Sequence, residues 1–400
     1  MRTFWTLVGY EYRKIFRRRA TWAVLALGLV FLVVTSQISL FGGYYLDGEF
    51  VETNRQRLAA DRAFAAALSG RPLDDALFDT AAAAFAAIPA DAPLYQATAE
   101  YNEIARPYEP VWETLGFFFS SEELRTETTG WGQAFYSQRK AWMAERIGAI
   151  QASEATRAAL LRWDSQVTQP WTYRFTQGWS GFFTYLEMIG FLVMFLSAVL
   201  LAPLFAGEYA RGTDPLLRTC RHGVGKLGAA KLATGLGVTL GLYALFGTAT
   251  AAVMALTYGV EAGDAPLQLL QIGFAYPLTL GQAAAWGLVC VLGGCLLMTA
   301  LLLLASAALR SAFPVVVGVT VLLLVPMMFD LDPTSAPLWP LLALNLLPSR
   351  MMKFENIFSP APYDFFGTVL PQYIVFPAAA ILFSLPLAAL AMRAYRRNQG

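Results

Sequence analysis

The sequence predicts an all-α membrane protein: a six-span transmembrane helical bundle with a large, mostly helical extracytoplasmic insertion between spans 1 and 2. Three observations predict it. Apolar residues make up 56% of the chain and charged residues 14%, and the mean hydropathy is +0.48, far from a soluble average. Six apolar runs read as helices that cross a hydrocarbon layer of about 30 Å, a task that takes about 20 residues. The stretch between the first two runs is long, polar and rich in helix formers.

Residues 1–19 carry Arg2, Arg13, Lys14, Arg17, Arg18 and Arg19. At 100° per residue, Phe4, Trp5, Val8, Tyr12, Ile15 and Phe16 share one face, with Arg13 and Lys14 elsewhere. That pattern predicts a cytoplasmic interfacial helix whose aromatic residues, Trp5 and Tyr12 among them, enter the headgroup boundary while Arg13 and Lys14 meet anionic lipid.

The spans are read as 20–41, 182–206, 232–256, 283–309, 312–329 and 373–392. The fifth is the shortest; only Arg310 and Ser311 separate it from the fourth, and a charge at that point marks a surface. The first is expected to be a retained anchor rather than a signal peptide, because its apolar core is too long and no clear cleavage site follows.

Orientation follows from the short connections, since Lys and Arg near span ends resist translocation. Arg211, Arg218, Arg221, Lys226, Lys231, Arg310, Arg393, Arg396 and Arg397 fall on the side of the basic N-terminus, against only Arg350 and Lys353 opposite. Both termini are therefore expected in the cytoplasm of a multi-pass plasma membrane protein, with 393–400 a cytoplasmic tail.

The insertion, 42–181, has 12 Lys plus Arg against 18 Asp plus Glu and translocates as a domain. Phe64, Leu68, Phe78, Phe85, Trp112, Phe117, Trp131, Trp142 and Trp163 are its candidate core. It contains no cysteine, so disulfides do not hold it together. Cys220, Cys290 and Cys295, with the single His222, are too few and too scattered for a structural zinc site.

Within the 182–392 bundle, the connection 207–231 opens with Glu208, Gly212, Thr213, Leu216 and Leu217 and closes on Lys231. Mixed charge and a Leu pair are the makings of a short helix offered to a cytoplasmic partner. This pattern, the basic interfacial helix, the outside insertion after the first span and the six-span total resemble the ABC-2 family of ATP-binding-cassette transporter permeases. The resemblance covers the membrane portion, and Arg218 to Gly223 departs from the small-residue and proline stretch of many members. It implies an exporter subunit in which Glu208, Gly212, Leu216, Leu217 and Lys231 couple to a cytoplasmic ABC ATPase. It also implies a homodimer, or a dimer with a paralogous permease, forming the pathway.

No Gly-x-x-x-x-Gly-Lys followed by Ser or Thr occurs, so no phosphate-cradling loop is present. The chain is expected to be a non-enzymatic permease without a cofactor of its own, ATP residing on the partner subunit. Nucleic-acid binding has no support.

Three further features suggest sites. Glu187 lies shallow in the second span, where an acid is costly unless paired or wet. Gly237 and Gly241 permit close helix approach. The Pro-rich and aromatic connection 331–372 holds Asn345 and Pro348, a possible gate dipping back toward the membrane under protein cover. Two other classes compete with the exporter. An ion-coupled carrier would use Glu187, Asp330 or Asp332, but shows no internal repeat. A membrane sensor or enzyme would use the insertion, where no nucleophile, base and orienting residue group together.

Overall fold

The computed structural model describes residues 2–126, 129–213, 225–329, 331–335 and 337–397. The chain begins with α1 (Arg2–Phe16) and α2 (Arg19–Gln37), then the hairpin β1 (Gly43–Leu46) and β2 (Glu49–Thr53). Next come α3 (Asn54–Leu68), α4 (Asp75–Ala86), α5 (Glu109–Leu115), α6 (Ser121–Thr126), α7 (Trp131–Ala149) and α8 (Glu154–Ser165). The long helices follow: α9 (Gln177–Leu201), α10 (Pro203–Ala210), α11 (Lys226–Tyr258), α12 (Leu280–Ala308) and α13 (Ala312–Met327). After α14 (Leu338–Asn345) and α15 (Phe354–Ile357), the hairpin β3 (Tyr363–Phe365) and β4 (Thr368–Leu370) leads into α16 (Gln372–Arg397). The chain is thus mostly helical and divides into two units.

The first unit comprises Met1–Val34, Gly181–Leu256 and Ala284–Gly400. Among the described residues, five helices are long and apolar enough to cross a membrane: Arg19–Leu40, Gln177–Ala210, Lys226–Tyr258, Leu280–Ala308 and Gln372–Arg397. The run read as a fifth span, 312–329, forms the 16-residue α13 instead, which covers about 24 Å at 1.5 Å per residue. Its end is set by Pro326, which cannot donate to the Leu322 carbonyl. The Ser349 hydroxyl donates to that carbonyl at 3.3 Å. Leu27, Leu256, Phe313, Leu382 and Leu385 stand exposed on these helices, as lipid-facing side chains do.

A second proline shapes the turn from α9 to α10. Pro203 interrupts the helix, and Ser306 of α12 inserts its hydroxyl into the broken ladder. That oxygen donates to the Ala202 carbonyl at 2.7 Å and accepts from the Phe205 and Ala206 amides at 3.2 and 3.3 Å. The kink therefore has an identifiable cause, and its freed polar groups are satisfied.

The stretch after α14 turns back among the helices. Pro348 to Met352 is buried, and two glycines make room for it. A methyl group on Gly294 would stand 2.7 Å from the Pro348 carbonyl oxygen, and one on Gly190 would stand 2.7 Å from the Met352 sulfur.

The second unit comprises Thr35–Ser180 and Thr257–Ala283, so it draws on a segment that hydropathy treats as a mere connection. Its core is aromatic: Phe78, Phe85, Trp112, Trp131, Phe135 and Trp171 are buried together with Leu68 and Leu77. Phe64 is half-buried, Trp142 and Trp163 pack at a smaller cluster, and Phe117 is exposed. Arg139, wholly buried, binds Thr257–Ala283 to the rest. It pairs with Asp164 at 2.7 Å, donates to the Ile272 and Phe274 carbonyls at 3.2 and 3.3 Å, and lies over the Trp171 ring. Local caps fix the helix starts, including the reciprocal Thr53–Gln56 box of α3, Asp74 before α4 and Ser153 before α8.

Candidate functional site

The helix α1 buries Val8, Glu11 and Ile15, three and four residues apart. Tyr12, Phe4 and Phe16 are half-buried beside them, whereas Trp5, Arg13 and Lys14 are exposed. An acid thus occupies the middle of the face that meets protein. The chain then turns into α2 with its carbonyls capped: Thr21 donates to Ile15 at 2.7 Å and Trp22 to Phe16 at 2.9 Å.

Glu11 belongs to a four-charge cluster. Lys14 lies 2.7 Å from Glu11 and 3.1 Å from Glu208 of α10. Lys231 of α11 lies 2.9 Å from Glu208 and 3.4 Å from Glu11. Its ammonium also donates to the Leu204 carbonyl at 2.6 Å and sits 5.3 Å from the Phe205 ring centre. Lys231 is 0% exposed, Glu11 1% and Glu208 8%. Two acids and two bases therefore neutralise one another almost entirely out of water, and only Lys14 reaches solvent. Glu208 Oε2 is buried without a hydrogen-bond partner among the described residues.

Burial alone acts to lower the Lys14 pKa. The hydrogen bonds and charges of Glu11 and Glu208 outweigh it, leaving the ammonium above its ordinary value. A cleft of about 280 Å³ opens beside the cluster, bordered by Lys14, Arg18, Glu208, Arg211 and Thr213.

The sequence pattern around Glu208 therefore lands in three different settings. Glu208 and Lys231, read as the ends of one connection at 207–231, sit on helices, because their mutual pairing lets both charges be buried. Gly212 closes α10: it adopts φ +65°, its amide bonds the Tyr209 carbonyl at 3.1 Å, and the Thr213 amide bonds the Glu208 carbonyl at 3.2 Å. That is a Schellman cap, which favours glycine at this position. Leu216 and Leu217, with residues 214–224 generally, lie outside the described residues, as does Asp330. Glu11 escaped sequence reading; an acid on the apolar face, at the angle of Val8 and Ile15, was the available signal.

No protein-family model matches the chain, and no curated protein matches it in sequence.

The remaining sites sit apart from the cluster. Gly237 faces α1, where an added methyl group would collide with the Tyr12 hydroxyl, whereas Gly241 faces open space. Asn345 and Pro348 are buried in the re-entrant stretch. Arg350, wholly buried, donates to Asn345 Oδ1 at 3.2 Å, to Asn356 Oδ1 at 3.2 Å and to the Phe329 carbonyl at 2.5 Å. This places a cation at the C-terminal end of α13 and makes Asn345 part of a polar island that anchors the stretch. Glu187 is half-buried on α9. Asp332 accepts from the Thr334 amide and hydroxyl at 2.9 and 2.8 Å in an exposed turn.

Proposed function

We propose that this chain is the permease subunit of an ATP-driven exporter of the ABC-2 type, working with a separate cytoplasmic ATPase and as a dimer of permease halves. In this reading α1 lies on the cytoplasmic membrane surface, both termini are cytoplasmic, and the unit containing α3 to α8 is extracytoplasmic. The observation that carries it is the buried Glu11–Lys14–Glu208–Lys231 cluster.

The cluster joins the basic helix, the base of α10 and the start of α11 into one body, next to the segment that the resemblance assigns to ATPase contact. Removing a fully buried member such as Lys231 leaves uncompensated buried charge, at a cost of about 3–5 kcal/mol. An ATPase dimer that closes against the end of α10 would then move α1 and the attached spans together.

Co-purification from the native membrane tests this. The wild-type chain retains a cytoplasmic ATPase and Glu208→Lys loses it. Transport by the purified chain with no ATPase present would contradict the proposal.

A further inference from the structure

The second unit contains a cavity of about 400 Å³, the scale of a small-molecule site. Its lining combines aromatic walls, Phe64, Tyr173 and Phe175, with charged residues of both signs. The bases are already engaged. Arg106 pairs with Glu52 at 2.9 Å and Asp61 at 3.2 Å, and Arg174 pairs with Asp264 at 2.7 Å. Arg57 lies 4.1 Å over the Tyr44 ring.

Two acids are left over. Glu109 and Glu113 stand one turn apart on α5, so both reach the same side of the helix. Neither has a salt bridge among the described residues. Glu109 accepts only the Tyr101 hydroxyl, at 2.9 Å, and Glu113 has no hydrogen-bond partner there. Burial holds the Glu109 carboxyl above its usual range, with the Tyr101 bond and the charges of Arg57 and Arg106 acting against it. No group of three or more His, Cys, Asp or Glu fit to hold a metal ion occurs among the described residues.

We propose that this cavity binds an organic cation, a primary ammonium on a small apolar body, with Glu109 and Glu113 receiving the ammonium and Phe64, Tyr173 and Phe175 enclosing the body. The ammonium supplies three donors to acceptor-only carboxylates, and the ring faces favour a cation as well as hydrocarbon. The inference is independent of the permease reading, since it uses only the second unit and requires no transport.

Calorimetric titration of the full-length protein in detergent with 2-phenylethylammonium chloride tests it, with sodium phenylacetate as the charge-reversed control. Saturable binding of the ammonium, none of the carboxylate, and a weakening of about tenfold or more in Glu109→Gln/Glu113→Gln is the result expected from losing charge-assisted hydrogen bonds. Glu113→Gln alone, at the exposed rim, covers the case in which the double variant folds poorly, and weaker binding with unchanged thermal unfolding supports the site. Equal binding by wild type and Glu113→Gln, or tighter binding of phenylacetate, overturns it.

Discussion

Replacing Lys231 by methionine keeps the length of the side chain and removes its charge. Lys231 is fully buried, and its ammonium faces both Glu11 and Glu208. Without it, two buried carboxylates share the half-exposed Lys14, whose side chain is 50% accessible. Breaking a buried pair from one side costs about 3–5 kcal/mol, because the desolvated partner stays behind. At about 2 °C per kcal/mol, the lower end for large domains, Lys231→Met lowers the unfolding midpoint by roughly 6–10 °C. Lys14→Met removes the same formal charge from a solvated position and costs about 1 kcal/mol or less. Glu208→Gln/Lys231→Met leaves the Glu11–Lys14 pair intact and is less damaging than the sum of the single changes. A thiol-reactive fluorogenic dye in detergent follows unfolding, since Cys290 and Cys295 are buried and free; Cys220→Ser removes the remaining thiol. Equal losses in Lys231→Met and Lys14→Met would refute the reasoning.

Three other outcomes follow from the packing and the charges. Gly237→Ala forces its new methyl group against the Tyr12 hydroxyl and destabilises by about 1–3 kcal/mol, with Tyr12→Phe restoring part of the loss in the same dye assay. Gly294→Ala is more damaging than Gly190→Ala, because the first meets the Pro348 backbone carbonyl and the second a flexible Met352 side chain; equal midpoints would contradict this. Glu109 has a raised carboxyl pKa in the fold, so the native state binds the extra proton and stability falls as pH rises from the unfolded value, about 4.3, through the folded one. Glu109→Gln, which retains an acceptor for Tyr101, therefore gains on the wild type between pH 4 and 7 in denaturant unfolding, and a parallel pair of pH profiles would count against it. The raised Lys14 pKa has the opposite window: its contribution is complete below about 10.4 and is lost only above that.

The long helices were legible because hydrocarbon demands about 20 apolar residues in a row, and no soluble element imitates that run. The run at 312–329 was legible as an apolar helix, but composition does not record that it is 16 residues long or that Ser349 and Arg350 return to satisfy the carbonyls of Leu322 and Phe329. Lys231 was placed in a connection since an isolated lysine belongs at a surface; only its partners, Glu11 and Glu208, far away in the chain, make burial tolerable. Glu11 stands on the buried face of α1, which signals that it needs a partner but not that one lies 220 residues on. Gly212 drew attention as part of a partner motif, and its φ shows a second reason for glycine there, the end of α10. The contribution of Thr257–Ala283 to the second unit was equally invisible, because it depends on Arg139 reaching the carbonyls of Ile272 and Phe274.

The most direct test of the coupling account is photo-cross-linking from Thr213 in native membranes, using a photoreactive amino acid at that position and mass spectrometry of the adducts. The account predicts an adduct with a cytoplasmic protein that carries Gly-x-x-x-x-Gly-Lys followed by Ser or Thr, lost when Glu208→Lys is added. Adducts only with lipid or with proteins of the opposite face would contradict it.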